Sequence, residues 1–171
     1  MTHSCRTCGD HDCPKWGTDN AECEDYTSIE EAETSSAFYV YVANRLSGHP
    51  GEYLANLHEM CKVSRLLMDS GYVPLNPGGD MLDGLMSGDV LPVEHYQRRS
   101  LDLLRLLGTV VSCGGRAAMY VHRAHHRDGT PSGGVHDEIR ECERMGVPVV
   151  WSVEELAGLR REWAEKVGGR A

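Results

Sequence analysis

Apolar runs of strand-forming residues alternate with amphipathic helical segments along this chain, and that alternation constrains its fold more than any other feature. The run FYVYVA (Phe38–Ala43) precedes a segment with apolar residues at helical spacing, which ends at Gly71 before the short run YVPL (Tyr72–Leu75). Such alternation is typical of a parallel sheet that helices cover on both faces. We therefore predict a Rossmann- or flavodoxin-like three-layer α/β sandwich, a fold that binds ligands beyond the carboxyl ends of its strands.

The later part of the chain continues this alternation, with two loops between the predicted elements. The segment 78–94 has no clean period and contains several glycines, so we expect a mobile active-site loop there. The other predicted elements are a helix over 94–107, a strand over TVVSC (Thr109–Cys113), a basic, histidine-rich loop over 114–131, a helix after Gly134, a strand over VPVVW (Val147–Trp151) and a helix from about Val153.

The net charge and the hydropathy of the chain argue against two kinds of binding partner, nucleic acid polymers and membranes. The formal net charge is −9, from 26 acidic and 17 basic residues, and a protein that grips a nucleic acid polymer needs a basic surface instead. The sequence has neither an apolar run long enough for a membrane span nor the pattern of a secretory signal. We expect a cytoplasmic protein with no membrane partner.

Four of the seven cysteines, Cys5, Cys8, Cys13 and Cys23, fall within the first 23 residues. In a reducing compartment, thiolates at such spacings more often hold a metal than form disulfides, and four of them complete a tetrahedral zinc site. We predict a zinc-binding knuckle over 1–26, a polar linker over 27–36 and one main domain over 37–171. A disordered tail and an iron–sulfur site are the alternatives for the knuckle. The three remaining cysteines are expected to be small buried residues: Cys61, Cys113 and Cys142.

Three stretches of the main domain resemble the nucleoside 2-deoxyribosyltransferase-like superfamily, which includes nucleoside transferases, deoxynucleotide N-glycosidases and many phage and bacterial relatives. The resemblance covers roughly Phe38–Leu156. The matching stretches are YVANRLSG (Tyr41–Gly48), GYVPLNP (Gly71–Pro77), and SLDLLRLLGTVVSC followed by SGGVHDEIRECERMGVPVVW. The chain departs from the family at two places, where Asn44-Arg45 replaces Gly-Pro and Leu107-Gly108 replaces a common aspartate.

This resemblance implies roles for particular residues. Glu138 matches the family's catalytic glutamate, which attacks the anomeric carbon of a ribosyl group, and Asp102 matches its other acidic position. The resemblance further implies that a nucleoside or nucleotide is the small-molecule substrate. The implied substrate-binding residues are Tyr41, Asn44, Arg45, Ser132, Gly133 and Gly134, of which the serine and glycines would hold a phosphate.

Each of these residues also has an ordinary structural interpretation. We expect Glu138 in the first turn of its helix, where the helix dipole keeps a carboxylate ionised, and this position suits a simple capping role as well as a nucleophile. Asp102 lies among arginines and could be a solvated helix charge. Ser132 and its glycines fit an ordinary turn. Arg45 and the basic residues of 122–127 would donate hydrogen bonds to a phosphate if the loop folds over the site. The alternative is a solvated surface loop.

Two readings of the whole chain follow. The leading one is an N-glycosidase or nucleoside/nucleotide (deoxy)ribosyltransferase, and the alternative is a non-catalytic nucleotide-binding or protein-interaction module with a structural zinc. The apolar face of the C-terminal helix, with Leu156, Leu159 and Trp163, predicts either a homo-oligomer or packing on the chain's own sheet.

Overall fold

The computed structural model describes residues 37–46, 50–88 and 91–168, which form a parallel sheet with helices on both faces. The strands are β1 (Phe38–Asn44), β2 (Val73–Leu75), β3 (Arg116–Arg123) and β4 (Val149–Val150), arranged in the order β2-β1-β3-β4. The helices are α1 (Pro50–Asp69), α2 (Gly78–Ser87), α3 (Val93–Ser112), α4 (Gly133–Met145) and α5 (Val153–Gly168). The predicted α/β class with a parallel sheet is confirmed.

The sheet separates two apolar cores because successive side chains of a strand point to opposite faces. In β1, Val40 and Val42 pack on one side, with residues of α1 and α5. Tyr41 and Ala43 pack on the other side, with residues of α3 and α4. Because helices cover both sides of the sheet, β1 is buried on both faces, which explains its nearly continuous apolar sequence.

The prediction of a third strand over Thr109–Cys113 is wrong, since these residues end α3 and β3 follows later in the chain. The β-branched residues there read as a strand, but they continue the apolar helical face that contains Leu104 and Leu107. The N–H of Gly115 donates to the carbonyl of Val110 at 2.8 Å, and Gly114 has a positive φ of 81°. This arrangement is the usual glycine-dependent end of a helix, so the two glycines stop α3 rather than open a loop.

One further segment differs from its predicted form. The segment 78–94 was expected to be a mobile loop, yet its first part forms α2. Glycine in a helix has low intrinsic preference, so a segment rich in it is helical only where its surroundings favour it. A Cβ atom at Gly78 would lie 2.8 Å from Leu57 of α1, which shows that the start of α2 packs closely on α1.

The apolar face of α5 packs on the chain's own sheet. Leu156 is fully buried, Leu159 packs against the same core, and the ring of Trp163 lies 4.9 Å from the ring of Phe38. Of the two interpretations of this face, packing on the sheet is the one observed. Among the described residues, no helix combines the length and apolar character needed to cross a membrane.

Candidate active site

The central contact of the candidate site joins β1 to α4. The phenol of Tyr41 donates a hydrogen bond to Glu138 Oε1 at 2.6 Å, and Tyr41 is completely buried. The two residues are 97 positions apart in the chain. The strand places Tyr41 on the sheet face that α3 and α4 cover, and α4 turns Glu138 toward it.

Glu138 does not lie where the sequence predicted. The helix begins at Gly133, after Ser132, so Glu138 falls in the second turn and the first turn holds no acidic residue. Burial raises the pKa of Glu138 to about 7, and the nearby Asp137 adds to this, while the hydrogen bond from Tyr41 opposes it. We expected a carboxylate at the end of the helix, ionised throughout the neutral range; the structure instead has a partly buried carboxyl group that titrates near neutral pH.

Tyr41 is held in its protonated form by the same surroundings. Burial, followed by the charge of Glu138, raises the pKa of its phenol well above the usual value, and a hydrogen bond with the Ser100 side chain acts in the opposite direction. The phenol is therefore a donor to Glu138 across the physiological pH range. Sequence analysis missed Ser100, although its spacing from Leu104 and Leu107 places it on the buried face of α3.

Ser132, Gly133 and Gly134 lie at the start of α4, just after the carboxyl end of β3 and its loop. Ser132 is buried, and its N–H donates to the carbonyl of Ala124 at 2.8 Å. A Cβ atom at Gly133 or Gly134 would meet no described heavy atom within 4 Å, and neither residue has a positive φ. Neither crowding nor backbone conformation within the described residues therefore requires glycine at these two positions.

Asp102 lies on the solvent side of α3. Its side chain is 55% exposed, and its carboxylate pairs with Arg105 at 2.8 Å. Arg105 also binds Glu141 of α4 at 2.9 Å, and Arg144 reinforces the group. Asp102 is thus part of an ion-pair network between two helices, and its role as a catalytic acid stays a prediction.

Asn44 is the last residue of β1, Arg45 follows it, and the side chains of both contact α1. The Asn44 side chain donates to the backbone carbonyl of Asn56 at 3.0 Å, and Arg45 Nη2 lies 3.3 Å from Glu52 Oε1. The strand register shifts between Ala43 and Asn44, and the Arg45 N–H donates to the carbonyl of Arg123. Both side chains were predicted to meet substrate, and the structure places them at the carboxyl end of β1.

The prediction of a histidine-rich loop over 114–131 is wrong for its first part, because Arg116–Arg123 form β3. The remainder folds on itself: the N–H of His126 donates to the carbonyl of Thr130 at 2.8 Å, and His125 forms a bridge with Pro131. Burial lowers the pKa of His122. Its neighbour His125 approaches His136 of α4, with ring centroids 5.8 Å apart, so the loop packs at the start of that helix.

The described part of the chain holds no group of three or more histidine, cysteine or acidic residues that could bind a metal. The four cysteines of the predicted zinc knuckle lie outside the described residues. Of the other three, Cys142 is buried as predicted, and Cys61 and Cys113 are exposed, so the prediction of burial is wrong for these two. Burial raises the pKa of Cys142 to about 12, which keeps this thiol unreactive.

Comparison of this chain with protein-family models, with curated proteins and with solved structures finds no match. What the chain does is therefore inferred from its own fold and site: a parallel α/β domain in which a partly buried carboxyl group accepts a hydrogen bond from a buried phenol.

The hydrogen bond from Tyr41 should set the pH dependence of Glu138. Removal of the phenol in Tyr41→Phe should raise the pKa of Glu138, because that hydrogen bond favours the ionised form. We expect the midpoint of any Glu138-dependent activity to move up by about one pH unit, the equivalent of one such hydrogen bond. Tyr39→Phe, on the same face of β1, is the matched control. An unchanged midpoint in Tyr41→Phe would show that the contact does not control Glu138.

Proposed function

We propose that this protein is an N-glycosidase or a nucleoside/nucleotide (deoxy)ribosyltransferase that cleaves the base–sugar bond with Glu138 as its nucleophile. The observation that carries the proposal is the hydrogen bond between Tyr41 and Glu138, because a partly buried carboxyl group with a raised pKa is characteristic of functional sites. The resemblance in sequence order, from the first strand to the glutamate-bearing helix, supports the same assignment.

In the proposed reaction, the ionised carboxylate of Glu138 attacks the anomeric carbon of the ribosyl group. The bond from that carbon to the base nitrogen breaks, and the base leaves with the bonding electrons and takes up a proton from an acid or from water. The product is a glycosyl ester on Glu138, which water or a second base then resolves. Tyr41 would hold the reactive oxygen in place and increase the ionised fraction of Glu138 at neutral pH.

The glycines at the start of α4 are consistent with a ligand that approaches the backbone. The space around the Cβ positions of Gly133 and Gly134 would let a sugar or phosphate reach the N–H groups of the first helical turn. Asp102 is the acid that the resemblance assigns to the leaving base. Its partner Arg105 would have to release it for that role, since the two are now paired.

A screen for released base tests the proposal. Ribonucleosides, deoxyribonucleosides and their 5′-monophosphates are incubated with the protein, and free base is measured by chromatography, with and without a second base as acceptor. Release without acceptor identifies a hydrolase, and release that needs an acceptor identifies a transferase. Absence of base release from every compound, together with retained nucleotide binding, would favour the non-catalytic module instead.

The N-terminal cysteines carry a separate proposal, a structural zinc. We expect metal analysis of the purified protein to find about one zinc per chain, because four thiolates complete a tetrahedral site. Cys8→Ser should lose the metal, and Cys61→Ser, which changes an exposed cysteine of the main domain, should retain it. Metal-free wild-type protein, purified without chelators, would remove this proposal.

A further inference from the structure

A buried arginine lies at the carboxyl end of β1, on the α1 side of the sheet. The Arg45 side chain is only 4% exposed, and its Nη2 atom forms an ion pair with Glu52, whose side chain is 25% exposed. Next to it, Asn44 binds the backbone of Asn56, and both asparagines are buried. Arginine is rarely buried to this extent unless its guanidinium is paired and hydrogen-bonded.

The guanidinium of Arg45 is incompletely satisfied. Within the part of the chain that the structure describes, its Nε and Nη1 atoms have no hydrogen-bond partner, and Nδ2 of Asn56 has none either. A buried donor left without a partner costs about 1–3 kcal/mol, and more when it is charged. Asn56 follows Glu52, the partner of Arg45, by four residues in α1, so the two share one face of that helix. The unpartnered donors of Arg45 and Asn56 therefore indicate a missing group that accepts hydrogen bonds.

We propose that Arg45, with Asn56, binds the phosphate of a ligand of the nucleoside monophosphate class. A phosphate monoester has three terminal oxygens and a negative charge, which suits three separate donors and a guanidinium; a carboxylate has only two oxygens. The site lies at the end of β1, four residues beyond Tyr41, at the sheet edge where parallel α/β folds bind ligands.

This assignment differs from the one that the resemblance implies, which gives the phosphate to Ser132 and the glycines of α4. The chain departs from the family pattern at Asn44-Arg45, so the arginine is a feature of this chain. That the ligand also carries a sugar and a base rests on the proposed function. Phosphate binding itself requires no turnover and can be measured separately.

The glutamate that pairs with Arg45 provides the most informative variant. If Arg45 serves an anion, Glu52 competes with that anion for the guanidinium, and Glu52→Gln should bind phosphate about tenfold more tightly. If Arg45 and Glu52 form only a structural pair, Glu52→Gln should lose stability, and phosphate should not restore it. Asp69→Asn is the matched control, because it removes the same charge from an exposed ion pair of the same helix.

The experiment measures thermal stability and titration calorimetry with inorganic phosphate, against sodium chloride and acetate at equal ionic strength. It then compares a nucleoside with its 5′-monophosphate. We expect phosphate to stabilise the wild type, Glu52→Gln to strengthen this effect, and Asp69→Asn to leave it unchanged. Arg45→Met should weaken binding of the monophosphate by about 10- to 100-fold, the loss expected for charge-assisted hydrogen bonds.

Three results would overturn the proposal. In the first, chloride stabilises both the wild type and Glu52→Gln as much as phosphate does. In the second, the nucleoside binds as tightly as its monophosphate. In the third, acetate stabilises the protein as much as phosphate does. The Glu52→Gln measurement keeps the test valid if Arg45→Met does not fold. If the protein binds phosphate but releases no base, the proposed enzymatic activity is refuted and the phosphate site is supported. If it releases base only from nucleosides and does not bind phosphate, the phosphate site is refuted and the enzymatic activity is supported.

Discussion

Glu138→Gln should reduce base release by about a hundredfold or more while the protein stays folded. The amide keeps the shape of the side chain and can still accept the Tyr41 hydrogen bond at 2.6 Å, but it cannot attack the sugar. The loss should appear in kcat, since the nucleophile acts in the chemical step, and KM should change much less. The measurement is the rate of release from the best substrate of the screen.

A control substitution on the same helix distinguishes the loss of the nucleophile from the loss of one negative charge. Glu143 is an exposed residue of α4, so Glu143→Gln removes one negative charge nearby without touching the buried contact. It should retain activity within about twofold, as surface substitutions usually do. Full activity in Glu138→Gln would leave Glu138 as a structural residue and would end the proposed mechanism.

Stability should fall as the pH rises from about 5 to 8, and Glu138 should account for much of the fall. Its folded-state pKa is raised to about 7 from an ordinary value of 4.5. The native protein therefore holds this proton more tightly than the unfolded chain does. The contribution is complete below about pH 4.5 and is lost as the pH rises through 7, and it amounts to at most about 3 kcal/mol.

Urea unfolding at pH 5 and pH 8, in the wild type and in Glu138→Gln, measures this contribution. Glutamine does not titrate, so the difference between the two proteins isolates Glu138 from other groups. Among those, His122 has a lowered pKa and should destabilise the fold as the pH falls through its titration range. A free energy of unfolding with the same pH dependence in both proteins would mean that the Glu138 carboxyl is well solvated.

The local sequence pattern was sufficient to predict much of the fold. The apolar run at Phe38 predicted β1, and helical spacing of apolar residues predicted α1 and α5. These signals are local because a strand buried on both faces must be apolar throughout, and a helix on a sheet must be apolar on one side. The same reasoning failed at Thr109, where β-branched residues occur in a helix because their buried face outweighs intrinsic preference.

The residue types of the candidate site could also be chosen from the sequence. The resemblance of short motifs to a known superfamily singled out Glu138, Tyr41 and Arg45, and the structure brings the first two into contact. Ser100 was missed because helical spacing places it on the apolar face of α3 but does not show which group its hydroxyl meets. Its relation to Tyr41 arises because α3 packs on β1 across the sheet face.

By itself, the sequence determined an acidic α/β domain with a parallel sheet and a short list of polar residues near the ends of its strands. Only the tertiary structure decided their chemical state. It shielded the Glu138 carboxyl partly from water and so raised its pKa, and it left Asp102 in solvent beside Arg105. It also buried Arg45 with two nitrogen atoms that have no hydrogen-bond partner among the described residues. The physical reason is that ionisation depends on desolvation and on charges within a few ångströms, and these are set by residues distant in the chain.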